Sequence, residues 1–116
     1  MFVGVARFVL QIPGARTLKD RRQVVRSFKE RIVARLKISA AEVGDAERIQ
    51  VATVGVAVVS SDSRVCADVL AQARSVAASL PEALLADVRS EVLSFGAGGS
   101  GLKHGIESSL GDLDDE

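Results

Sequence analysis

Six cations fall within fourteen residues, Arg16, Lys19, Arg21, Arg22, Arg26 and Lys29, and they are the side chains best able to do chemistry in this chain. Placed on a helix at about 100° per residue with Leu18 at 0°, Lys29 falls at about 20°, Arg22 at about 40°, Arg26 at about 80° and Lys19 at about 100°. Four cations thus form one stripe beside the apolar face. Arg31 and Arg35 lie on the other flank, and with Lys37 they complement the macrodipole at the helix C-terminus, as any helix favours. At the N-terminus the reverse holds: Lys19, Arg21 and Arg22 occupy opening turns where an exposed cation costs about 0.3–1 kcal/mol, and Asp20 offsets only part of that. Free backbone N–H groups, Gly14 in the entering turn and Arg16 beside it would suit a phosphate or carboxylate there. Arg21, at about 300°, projects toward the apolar face, so its guanidinium must snorkel or pair; a structural salt bridge and a ligand contact are both open. The plain alternative for the whole stripe is a solvated amphipathic face.

The charge is distributed unevenly along the chain. Residues 1–37 carry ten Lys/Arg and two acids, a local charge of +8, whereas residues 38–116 carry five basic and thirteen acidic side chains. No catalytic constellation accompanies this asymmetry, so neither catalytic residues nor a cofactor are expected, and the protein reads as a non-enzyme. Ser60, Ser61 and Ser63 lack a nucleophile-elbow context and suit a strand end and a helix cap. Cys66 recurs with Val65, Val69 and Leu70 in an apolar helical pattern, which describes a reduced, buried, inert thiol. His104 has no neighbours at metal-ligand spacing, so no metal site is expected. The GxGxxG spacing at Gly96, Gly98 and Gly101 is followed by too little chain for a dinucleotide fold, and no Lys-Ser/Thr follows it as in a P-loop. Asp114 and Asp115 fall in a segment unsuited to holding catalytic geometry.

The elements that must position the stripe are legible in the pattern. Phe2–Ile12 is rich in Val and Phe and stops at Pro13-Gly14, hence a strand. Thr17 and Asp20 have the spacing of a weak capping box, and Leu18, Val25, Phe28, Ile32 and Leu36, with Val24 at the edge, repeat at helical period. A short strand at 38–43, a turn at Gly44-Asp45 and a strong strand at 51–60 follow. Ser61, Asp62 or Ser63 caps a second helix burying Val65, Val69, Leu70, Ala73, Val76, Ala77 and Leu80 before Pro81, and a final strand is expected at 87–95. The order βαββαβ predicts an α+β ferredoxin-like sandwich, a four-stranded antiparallel sheet with two helices on one face. Residues 1–95 form the domain, and the Gly-rich then acidic segment 96–116 reads as a flexible tail, either a solubility aid or a competitor for the basic stripe.

Both strand faces are aliphatic. Phe2, Ala6, Phe8, Leu10 and Ile12 face the helices, yet Val3, Val5 and Val9 occupy the other side, and Val51, Ala57 and Val59 repeat the pattern. Such a surface is expected to be covered, by a second copy in a homodimer. The same strands carry no aromatic platform on that side, so an RRM-like base-reading mode is not expected; phosphate contacts with structured RNA fit better, and DNA is not expected. Arg7 interrupts the first apolar run, and no positive n-region precedes it, so neither a signal peptide nor a membrane span is expected and the location should be cytoplasmic.

The segments MFVGV, IPGARTLKDRR, AEVGD and GVAVVSSD, in this order, resemble the small bacterial YlxP-like family, a domain of unknown function, over roughly residues 1–95. The resemblance implies a ferredoxin-like fold and genes lying beside those of translation initiation and ribosome maturation, hence a link to RNA or the ribosome, and no established activity. The chain departs from that pattern at Arg48-Ile49-Gln50, where an aromatic Leu-Trp-Gln-like segment is expected, and in its longer tail. The resulting expectation is an RNA- or ribosome-associated accessory factor; the alternative is a protein-interaction or small-ligand regulatory module that self-associates through its sheet.

Overall fold

The computed structural model describes residues 1–96; the expectations for the Gly-rich and acidic segment, for His104 and for Gly98 and Gly101 lie outside the described residues. The order is β1 (Phe2–Gln11), α1 (Leu18–Arg35), β2 (Ser39–Glu42), β3 (Val51–Ser60), α2 (Ser63–Ala78) and β4 (Leu84–Ser94). The strands align as β2-β3-β1-β4, every neighbour antiparallel, with both helices against one face. This is the ferredoxin-like α+β arrangement that the element order predicts.

Alternation sets the two faces. Gly4, Ala6, Phe8 and Leu10 of β1, and Ala52, Val54, Val56 and Val58 of β3, are buried under the helices. Phe8 meets Phe28 of α1 edge to face, with ring centroids 5.7 Å apart and planes at 86°, a geometry that places the positive ring edge on the negative face of its neighbour. Ile32, Val24 and Val25 extend this contact along α1, and Leu70, Ala73, Val76 and Ala77 bring α2 onto the same core. Cys66 is part of it: the thiol is fully buried, with Sγ 3.7 Å from the Phe2 carbonyl and 3.9 Å from that of Val58.

Several boundaries and faces differ from the sequence expectation. Helix α2 starts after its N-cap Asp62, whose side chain accepts from the Arg64 N–H at 2.9 Å; this phase buries Cys66 and leaves Val65 exposed, reversing the expected burial of Val65. Strand β4 begins at Leu84, three residues early, because a register shift between Val9 and Leu10 makes Ala86 an extra residue. A bulge of this kind breaks the period of two and hides the strand start from a pattern count. Strand β2 is limited to four residues, although the Val43 N–H still reaches the Thr53 carbonyl at 2.9 Å.

Gly4 lies where β1 passes beneath α2. A Cβ built there would stand 3.0 Å from Val58 Cγ1 and 3.1 Å from both Cys66 Cβ and Leu70 Cδ1. The close helix-to-sheet approach therefore depends on the missing side chain. Gly4→Val overpacks this contact and is expected to lower unfolding free energy by about 1–3 kcal/mol in a urea titration, with the m-value unchanged.

Candidate anion-binding surface on the first helix

Helix α1 is started by a closed cap. Thr17 is extended (φ −137°, ψ 165°), and its hydroxyl accepts from the Asp20 N–H at 3.1 Å. The Asp20 carboxylate reaches one residue further back than in an ordinary capping box and accepts from the Arg16 N–H at 2.9 Å. That bond from Arg16, joined by those from Thr17 and by the Arg16 charge, holds the Asp20 carboxyl below its ordinary pKa of 3.8 against the smaller opposing effect of desolvation. The N-terminal N–H groups of Arg16 and Asp20 thus already have an acceptor from the chain itself. Gly14 has no positive φ, and a Cβ there would meet nothing, so the entering turn does not depend on glycine. The turn is tied down from β3, since Gln50 Nε2 donates to the carbonyls of Pro13 and Ala15, both at 3.1 Å. Gln50 stands in the segment where an aromatic was expected.

Arg21 resolves its two readings in favour of structure. Its side chain is 1 % exposed, with the guanidinium paired to the Glu42 carboxylate of β2. Nε also donates to the Val51 carbonyl at 3.2 Å and one terminal nitrogen to the Asp45 carbonyl at 3.3 Å. Burial pushes the Arg21 pKa down, the Asp45 charge pushes it up, and neighbouring Arg22 pushes it down again. Arg21 therefore joins α1 to the end of β2, the start of β3 and the turn between them, and its donors are committed. Sequence reasoning missed Glu42; the available signal was an acid in phase with Ala40 on the helix-facing side of a strand, where a buried base must answer it.

With Arg21 withdrawn, the remaining cations stand together. Arg16, Lys19, Arg22 and Arg26 are exposed and Lys29 is half-buried at the margin of the apolar face. Among the described residues the ion pairs are Arg7–Asp87, Arg21–Glu42 and Arg64–Asp62, so none of these five cations is neutralised by a carboxylate contact. The opposite flank of α1 differs in kind: Asp20, Gln23, Val24 and Ser27 line a groove of about 530 Å³ with Pro81–Leu84, and it contains carboxylates and no cation. The basic shoulder lies on the flank away from that groove, and the exposed Arg31 and Arg35 occupy the other flank further along the helix. Val33, 51 % exposed, interrupts the basic shoulder near its C-terminal end. The open sheet face carries no strand aromatic, since Phe2 and Phe8 both pack inward. Among the described residues no group of three or more His, Cys, Asp or Glu is placed to hold a metal, and no helix is long and apolar enough to cross a membrane.

Fold and surface together define a ferredoxin-like α+β domain whose first helix carries a cationic shoulder with no carboxylate partner among the described residues. The chain belongs to the family described as Protein of unknown function (DUF503), whose model matches residues 3–90. No curated protein matches it. Among solved structures it is similar to the de novo designed protein Foldit4 (10 % identity, TM-score 0.51, 81 % of this chain and 98 % of that one). It is also similar to a putative chlorite dismutase (11 % identity, TM-score 0.57, 98 % of this chain and 48 % of that one), so it spans about half the length of that protein. At these identities the likeness is one of fold.

Two outcomes test the geometry around the shoulder. Arg21→Met leaves Glu42 unpaired in a mostly buried position and is expected to cost about 3 kcal/mol by chemical denaturation, whereas Arg21→Met with Glu42→Leu recovers most of that loss. Asp20→Asn removes a carboxylate whose folded pKa is lowered. The native protein's advantage is therefore full above the unfolded-state value and lost as pH falls through the lowered folded value, so the Tm difference from Asp20→Asn should be present at neutral pH and close as pH falls below the ordinary carboxylate range.

Proposed function

We propose that this protein is a YlxP-like, non-enzymatic accessory factor that binds the phosphate backbone of structured RNA, on its own or in a ribosomal particle, through the shoulder formed by Arg16, Lys19, Arg22, Arg26 and Lys29. The observation that carries this reading is the sorting of charge on α1. The one cation aimed at the core is neutralised by Glu42, while Arg16 before the helix and the outward Lys19, Arg22, Arg26 and Lys29, like Arg31 and Arg35 at its far end, have no carboxylate partner among the described residues. Cations left unpaired in the opening turns oppose the helix dipole, and a phosphate would relieve that cost.

The mode follows from what surrounds the shoulder. Long flexible cations on a convex helix contact phosphates without reading bases, and the sheet lacks aromatics on which unstacked bases could lie. Binding should therefore respond to RNA shape and charge more than to sequence. With four or five phosphates engaged, log K should fall against log salt with a slope of about −3 to −4. Replacing Lys19, Arg22 and Arg26 by Glu is expected to abolish binding to a structured RNA in a filter or fluorescence assay and to remove co-sedimentation with ribosomal subunits, with the circular dichroism spectrum unchanged. Undiminished affinity in that variant would reject the shoulder.

A further inference from the structure

The open face of the sheet has a relief that fits itself. The register sets Ala41, Gly55, Arg7 and Arg89 in one row across β2, β3, β1 and β4. The β2/β3 half of that row is made of the smallest side chains and the β1/β4 half of two of the longest. Along the next row, Ala57 of β3 stands beside Val5 of β1. The result is a hollow of about 680 Å³ on one side of the face, floored by Ala41, Gly55 and Ala57 and walled by Arg7, Arg89 and Glu91. Gly55 is itself held at close quarters, since a Cβ there would stand 3.1 Å from Val43 Cγ1.

We infer that this face is covered by a second copy of the chain, the two sheets packing face to face about a two-fold axis that runs along the strands between β1 and β3. Such an axis lays β1 over β3 of the second copy and β4 over β2. Arg7 then stands over Gly55, Val5 over Ala57 and Arg89 over Ala41, large against small in each pair, which is what interdigitation of two layers requires. The Arg7 guanidinium lies 3.9 Å from the Asp87 carboxylate on β4, so its charge leans away from the axis and the aliphatic stem covers the glycine.

Charge disfavours one alternative: a two-fold axis across the strands centred on the Arg7/Arg89 row would set Arg89 against Arg89 and Glu91 against Asp87. The strand-parallel axis superposes no like charges. The apolar remainder supplies the driving force: Val59 is 63 % exposed and Val43 59 %, with Val3, Val5, Val9 and Val51 half-exposed on the same face. With β1 over β3 and β4 over the short β2, the overlapping strands at about 4.8 Å spacing and about 3.3 Å per residue give roughly 440 Å² of sheet per copy, about 900 Å² for the pair, the size of a weak, reversible interface. This inference is independent of the basic shoulder, which lies on the helical side.

Light scattering of the full chain at micromolar concentration is expected to give twice the chain mass, and the mass of one chain would overturn the inference. Ala41→Arg, which fills the hollow from an exposed edge-strand position, should weaken the dimer roughly tenfold or more while preserving the circular dichroism spectrum. The register is read separately with Ala41→Cys and Arg89→Cys, each made alone, because Cys66 is buried. A bismaleimide spanning about 10 Å between sheets should join the two variants when mixed and join neither to itself. Cross-linking as strong in either variant alone would overturn the axis.

Discussion

One buried ion pair ties this fold together at its least regular end. Among the described residues Arg21 is the only charged side chain that is buried, and four of its bonds reach Glu42, Val51 and Asp45, three separate stretches of chain. Strand β2 has four residues and one strand neighbour, too little to fix itself in the sheet. The guanidinium supplies planar, directional donors that an aliphatic residue cannot, and so fixes where β2 ends and where the Gly44-Asp45 turn sits. A buried pair is a poor source of net stability but a strong specifier of one arrangement, since any other leaves a charge unanswered in the core.

The same withdrawal shapes the surface. Had Arg21 pointed outward, α1 would present one more cation among several; with it inward, what remains is a shoulder whose members share one side of the helix. Around the first turns of α1 the groove on the opposite flank, with Asp20 and Glu82, sets acids across the width of the helix from the shoulder. A separation on that scale is comparable to the screening length at physiological ionic strength, about 8 Å, so an approaching polyanion meets one sign or the other according to its side of approach.

Most of the scaffold was legible because its signals are local. The alternation in β1 and β3 and the apolar period of α1 follow from side-chain direction alone, and Thr17 with Asp20 marked the helix start. What escaped depended on distant partners or on broken periods. The bulge at Ala86 moved the start of β4, the phase set by Asp62 left Val65 exposed while keeping Cys66 buried as expected, and the pairing of Arg21 could be narrowed to two readings but not decided until Glu42 was placed beside it. That none of the outward cations of the stripe meets a carboxylate among the described residues is a three-dimensional fact. Gln50 shows the converse, a residue noted for the aromatic it replaces whose amide instead secures the Pro13–Ala15 turn.

The buried thiol has a further consequence. Cys66 lies where α2 presses on the close approach permitted by Gly4, and its sulfur sits near backbone carbonyls of both central strands. No reagent can reach it without parting the helix from the sheet. As the chain's only cysteine, it is an internal clock for opening: its rate of modification at saturating reagent counts how often that seam comes apart, and at low reagent it reports how much of the protein is open.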